Sequence, residues 1–244
     1  MTRLVLLSGW GVDSRIWRPL AGHWPGGVTV TAPDWPGYGV RTPLAAPGSL
    51  AGLAEAMAVD LPADAVWVGW SLGGLLAGAL LARLSPPRTL ILLGMGTRFC
   101  DPEGVTRAEL TAFRRAFARD PAATRRHFLR WQLGGEPDPR GAHRRLLDLI
   151  DDDVDPATLA AGLNQLAALD VSRVLADTPC PVKRLAGRHD PLLPPAAIAG
   201  ADRVLDHAGH CPMLSRPAAL AEALVALATD MRAARSARAE EAPA

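Results

Sequence analysis

Residues 65–74 read Ala-Val-Trp-Val-Gly-Trp-Ser-Leu-Gly-Gly. A serine with glycines two places before and after it, preceded by four apolar residues and followed by small helix-forming ones, has the form of a nucleophile elbow: strand, sharp turn, helix. The turn crowds the chain before the serine against the chain after it. Gly69 and Gly73 lack the Cβ atoms that would collide there. Ser71 would then stand above the sheet in a strained backbone conformation, and the free N–H groups of the new helix would point at whatever its hydroxyl attacks.

A serine hydroxyl is a weak nucleophile near neutrality. It needs a base within hydrogen-bond reach, and the base needs a carboxylate to orient it. Where such an elbow occurs, the partners follow in the order Ser, Asp, His. Asp190, in Gly187-Arg188-His189-Asp190-Pro191, and His210, in His207-Ala208-Gly209-His210, meet that order. His207 is a rival base, and Asp206 and Asp177 are rival carboxylates. His210 is preferred because Gly209 frees its loop to project it, whereas His207 lies nearer the strand. His189 abuts Asp190 but would point away from it; His23, His127 and His143 read as surface or cap residues. Attack on a carbonyl also needs donors for the developing oxyanion. The N–H of Leu72, next to the serine, is one; the N–H of Trp10, in the loop Ser8-Gly9-Trp10-Gly11, is the other. The run Asp151-Asp152-Asp153-Val154-Asp155 could suggest a metal, but no histidine or spaced ligand pattern accompanies it, and a solvated helix end is the alternative. No metal and no cofactor are expected.

The elements that must position these groups can be read from periodicity. Apolar runs at 4–7, 28–32, 65–68, 89–93, 182–186 and 203–206 predict strands, most of them buried on both faces. Helices are predicted after Asp13 or Ser14, at 49–61 with Ser49 as cap, at 74–84 and at 217–233. Alternating strands and helices imply a mostly parallel, doubly wound sheet, whose ligands bind beyond the carboxyl ends of the strands. The Gly9-Trp10 loop, the loop beginning at Asp34 and Ser71 all fall at such ends. Residues 98–170 carry no parallel-strand signal, are helical in period and have breaks at Pro121, Gly134-Gly135, Pro137, Pro139 and Pro156. The predicted organisation is an α/β core of residues 1–97 and 171–244, with a helical cap of three or four helices inserted at 98–170.

A chain of 244 residues with 49% hydrophobic content can bury a large core. A net charge of +1 gives no global argument for nucleic acid. The longest apolar run, 72–82, is too short to span a bilayer. No secretory signal is visible, and three widely spaced cysteines suggest a reducing compartment, so a cytoplasmic monomer is expected. Charge is uneven all the same. Residues 98–147 hold eleven arginines against six acids, the footprint of an acidic partner or a solvated arginine face.

Taken together, Ser8-Gly9-Trp10-Gly11, Asp34-Trp35-Pro36-Gly37-Tyr38-Gly39, the elbow, Gly187-Arg188-His189-Asp190 and Gly209-His210 resemble the α/β-hydrolase superfamily over nearly the whole chain. Within it, the Gly-Trp-Gly loop, the Gly-Trp-Ser-Leu-Gly-Gly elbow and Phe128-Leu129-Arg130-Trp131-Gln132 are most similar to the pimeloyl-acyl-carrier-protein methyl ester esterases of biotin synthesis. The resemblance implies a triad of Ser71, Asp190 and His210, an oxyanion site at Trp10 and Leu72, and an acyl channel lined by Phe128, Leu129, Arg130, Trp131 and Gln132. It also implies that Arg140 and Arg144, with Arg125, Arg126 and Arg130 nearby, dock an acidic carrier protein bearing the pimeloyl methyl ester. The amphipathic 128–132 segment could equally be cap core. A carboxylesterase for small free esters and a non-catalytic relative are the alternative readings. Two departures stand out: Ser8 replaces the family's usual loop histidine, and the antiparallel strands that usually open the fold are expected to be missing, leaving about six strands.

Overall fold

The structure is a computed structural model that describes residues 1–150 and 154–230. Its elements are β1 (Thr2–Leu7), a 3-10 helix (Ser14–Leu20), β2 (Val28–Thr31), α1 (Leu50–Met57), β3 (Val66–Trp70), α2 (Leu72–Leu80) and β4 (Thr89–Leu93). Four helices follow: α3 (Arg107–Arg119), α4 (Pro121–Trp131), α5 (Pro139–Leu147) and α6 (Pro156–Ala168). The chain closes with α7 (Ser172–Asp177), β5 (Val182–Gly187), α8 (Pro195–Ala199), β6 (Arg203–Leu205), α9 (Pro212–Ser215) and α10 (Pro217–Thr229).

The six strands form one sheet in the order β2-β1-β3-β4-β5-β6, and every pairing is parallel. Successive side chains in a strand face opposite sides, and here both sides are buried. Val5, Leu7, Trp67, Leu90 and Leu92 join one core with α1, α2, α3 and α6. Leu4, Leu6, Val66, Val68, Ile91 and Leu93 join the other, with the 3-10 helix and α10. β1 lies between β2 and β3, so the loops leaving β1 and β3 diverge to opposite faces. That divergence opens a crevice at the carboxyl edge of the sheet.

Several local signals work as read. Ser49 Oγ accepts the Gly52 N–H at 3.1 Å, and Asp13 caps the following helix, which is 3-10 and holds Pro19. Helices do break at the prolines read as breaks, and three of those four prolines also start the next helix. Asp120-Pro121, Asp138-Pro139 and Asp155-Pro156 each place an aspartate at the N-cap and a proline in the first turn. The carboxylate takes a free first-turn N–H, and the proline occupies a place where an N–H would be unsatisfied. Asp155, the described acid of the aspartate run, is thereby a helix cap; Asp151, Asp152 and Asp153 and the predicted last turn at 231–233 lie outside the described residues. The two ends of the four-helix segment meet: Arg98 and Asp170 form an antiparallel bridge, and the Val171 N–H donates to the Thr97 carbonyl at 2.9 Å.

Candidate active site

Ser71 occupies the corner between β3 and α2 with φ 54° and ψ −126°, a left-handed conformation that a serine adopts only under constraint. Its N–H donates to the Leu93 carbonyl at 2.9 Å. Its hydroxyl caps no helical N–H, although Ser71 stands at the N-cap of α2. The glycines explain how the corner closes. A Cβ on Gly69 would lie 2.5 Å from Gly74 Cα, one on Gly73 would lie 2.5 Å from the Ser8 carbonyl oxygen, and one on Gly9 would lie 3.0 Å from Ser71 Cβ. Backbone atoms cannot step aside as a flexible side chain can. Gly73→Ala is therefore expected to cost about 3 kcal/mol and to lower Tm by roughly 6–12 °C, measured by thermal unfolding.

Asp190 and His210 come from the loops after β5 and β6, and both side chains are fully buried. His210 Nδ1 lies 2.8 Å from Asp190 Oδ2, while Asp190 Oδ1 accepts the Leu192 N–H at 2.9 Å. A carboxylate only accepts, so the pairing assigns the imidazole proton to Nδ1 and leaves a lone pair on Nε2. Among the described residues, that buried Nε2 has no hydrogen-bond partner. Gly94 makes room for the pair; a Cβ there would lie 3.0 Å from His210 Nδ1 and 3.2 Å from Asp190 Oδ2. The rivals lie elsewhere. His207 and His189 are exposed, Asp206 is exposed and paired with Arg188, and Asp177 is exposed and paired with Arg173.

The Gly9-Trp10-Gly11 loop is braced from three sides. The Trp10 indole donates to the Leu159 carbonyl at 2.8 Å and packs edge-on against Phe113, Phe117 and Phe128. What remains for residue 10 to offer at the corner is its main-chain N–H; Leu72, as the first residue of α2, offers another. The Gly11 N–H donates to the Tyr38 hydroxyl at 3.3 Å, and the Gly11 carbonyl accepts from Arg125 Nε at 2.9 Å. Burial pushes the Tyr38 phenol up to about 12, so it stays neutral across the physiological range. Ser8 is buried with its Oγ unpartnered. Support for the loop there comes from the Trp35 indole, which donates to the Ser8 carbonyl at 2.9 Å.

The helical-segment residues separate by helix periodicity. Phe128 and Trp131, one turn apart, line a largely apolar cavity of about 430 Å³ together with Phe99, Phe113, Leu163 and Leu166, with Glu109 and His127 also in its wall. Leu129 packs into the opposite core beside Leu133 and Trp70, and Gln132 is buried with its Nε2 unpartnered. Arg130 is exposed; five consecutive helical residues cannot share one face, so Arg130 does not line the cavity. Arg125 needs a correction too. It is 4% exposed and holds Gly11, so it braces the loop instead of joining a docking surface. Arg126 and Arg130 on α4, and Arg140 and Arg144 on α5, are exposed.

Three residues around the site escaped the sequence reading. The Trp70 indole donates to the His210 carbonyl at 2.8 Å, with its ring centroid 5.4 Å from the imidazole. Tyr38 is the chain's single tyrosine, a compositional hint that could have drawn attention to it. Glu136, buried near Gly209, had no signal: a lone acid between two glycines and two prolines reads as a turn.

A family model described as the alpha/beta hydrolase family matches residues 4–223. The chain belongs to this family of α/β-sheet hydrolases. It is 37% identical over 235 residues to a pimeloyl-[acyl-carrier protein] methyl ester esterase from Aromatoleum aromaticum, covering 88% of this chain and 93% of that one. A protein of the same name from Klebsiella pneumoniae is 32% identical, covering 93% and 94%. Among solved structures, an esterase from Exiguobacterium antarcticum superposes with a TM-score of 0.78 at 19% identity, covering 94% of this chain and 92% of that chain. A bromoperoxidase from Bacillus anthracis gives 0.81 at 16%, with the same two coverages. Such distant neighbours speak for the fold alone. No helix among the described residues is long and apolar enough to cross a membrane.

Proposed function

We propose that the protein is a carboxylic ester hydrolase that removes the methyl group from pimeloyl-[acyl-carrier protein] methyl ester, a step of biotin synthesis, by way of an acyl-enzyme. The observation that carries the chemistry is a buried Asp190–His210 pair with a free Nε2, on the sheet edge where a left-handed Ser71 presents a hydroxyl that caps nothing. His210 Nε2 takes the Ser71 proton as Oγ attacks the ester carbonyl. Asp190 keeps the imidazole in the tautomer that can do so. The N–H groups of Leu72 and Trp10 hold the oxyanion, each worth about 100–1000-fold in rate. The intermediate collapses as His210 returns the proton to the departing methoxide; methanol leaves, and water, activated by the same imidazole, releases the acid.

The substrate assignment rests on the named relatives and on two surfaces. Residues 98–170 act as a cap whose largely apolar cavity, two of whose lining residues, Phe113 and Phe128, pack against Trp10, is of a size for an aliphatic acyl chain. Arg126 and Arg130 on α4 and Arg140 and Arg144 on α5 are each exposed and without an ion pair among the described residues, which suits an acidic carrier protein. Three buried free cysteines suit a reducing cytoplasm. The test compares the carrier-bound ester with a short free ester. The double variant R140E/R144E should raise KM for the carrier-bound substrate by at least tenfold and leave the free ester unaffected, and added salt should mimic it. Equal effects on both substrates, or on neither, would favour a general esterase for small free esters.

A further inference from the structure

The peptide that joins His210 to Cys211 is held at both of its polar ends. Its carbonyl accepts from the Trp70 indole at 2.8 Å. Its N–H, that of Cys211, donates to Glu136 Oε1 at 2.7 Å. Trp70 immediately precedes Ser71 in β3. Glu136 comes from the opposite direction, in the connection between α4 and α5. Its second oxygen accepts from the Ser215 hydroxyl, and the whole residue is 4% exposed. The backbones interlock around it. A Cβ on Gly209 would lie 2.7 Å from the Gly135 carbonyl carbon and 2.9 Å from both Glu136 N and Glu136 Oε1, and a Cβ on Gly135 would meet the His189 carbonyl oxygen more closely still. Cys211 itself offers no competing chemistry: burial, with the charges of Glu136 and Asp190 adding to it, pushes its thiol well above the usual range.

A buried carboxylate is costly to keep unless its hydrogen bonds repay the loss of water. Here they fix one peptide plane, and that plane sets where the His210 side chain begins. We propose that Glu136 is a positioning residue: a carboxylate carried by the helical segment that clamps the His210–Cys211 peptide against Trp70 and so aims the imidazole at Ser71. The proposal rests on the serine-histidine reading given above. It also makes the base depend on the segment being seated, because one jaw of the clamp belongs to the sheet and the other to the helices. The Ser71 corner and the Asp190 contact stay in place without Glu136; what is lost is the orientation of the ring between them. Misplacement by about an ångström at a reacting centre typically costs on the order of 100-fold.

The test uses full-length variants, a short free ester and a fluorophosphonate that reports directly on the reactivity of Ser71. E136A should lower kcat roughly 10–100-fold with KM within about threefold, and the labelling rate should fall in parallel while unfolding stays cooperative. E136Q keeps an oxygen acceptor at full reach and should stay within about threefold of wild type. E136D keeps the charge but draws it back by about 1.5 Å, and should resemble E136A. Glutamine rescuing where aspartate does not is a signature of reach that a generic folding role would not give. Should E136A fail to fold, the E136Q and E136D pair still decides. Wild-type kcat and labelling in E136D, or a large loss of kcat in E136Q, would overturn the proposal. Failure of the underlying reading looks different: unlabelled wild-type protein, or an S71A protein that keeps full activity.

Discussion

Ser71→Ala is expected to lower kcat for any ester by about five to six orders of magnitude, to a residue of catalysis supplied by binding and the oxyanion donors alone. The size follows from what the hydroxyl replaces. Without it no acyl-enzyme forms, and the only nucleophile left is water, in a corner where Ser71 is 2% exposed and His210 1%. Removing Oγ should not harm the fold. It caps no N–H of α2, and the strained φ of 54° belongs to the backbone. The variant should therefore unfold at close to the wild-type temperature, bind substrate with similar affinity and take up no fluorophosphonate. A stable, ligand-binding, inert protein confirms the nucleophile; retention of even a tenth of the activity removes it.

Asp190→Asn is expected to cost about 10⁴-fold in kcat, with little change in KM. The argument is one of hydrogen-bond sense. Oδ1 of Asp190 accepts the Leu192 N–H at 2.9 Å, so in the variant the amide oxygen stays at that position. The amide nitrogen must then face His210 Nδ1, now 2.8 Å from Oδ2. An NH₂ group can only donate, which forces Nδ1 to accept and moves the ring proton to Nε2. The nitrogen that should take the Ser71 proton then already carries one. Shape and volume hardly change, so structure and stability should survive. A loss smaller than tenfold, measured on a small ester in a folded variant, would show that the carboxylate does not set the tautomer.

What could be read from the chain follows from how local each signal is. The parallel strands announce themselves as apolar runs because both faces of the sheet are covered, and the elbow is a five-residue pattern: Gly69 is demanded by contacts within that same turn, Gly73 by the end of β1 against it. Asp190 and His210 could be singled out from chain order and from Gly209, and the structure sets them 2.8 Å apart. Glu136, Trp70 and Tyr38 act on partners 75, 140 and 27 positions away. No spacing rule reaches that far, so only the folded chain reveals them. The Asp-Pro pairs could be read as breaks but not as helix starts. A proline ends one helix and begins another with equal ease, and the preceding aspartate is what decides. Arg125 shows the limit of counting charge: an arginine belongs to a surface only if the fold leaves it there.

The bridge between Arg98 and Asp170 brings the two stalks of the four-helix segment side by side. A short turn could join Thr97 to Val171 and leave all six strands undisturbed. Exchanging this module for another, longer or shorter, would leave the strand pairing intact but would remove Leu159, Phe128 and Arg125, which brace the Trp10 loop. Any replacement must bring its own grip on the histidine loop, and lineages that exchange the module should be found to have re-invented that grip from a different side chain.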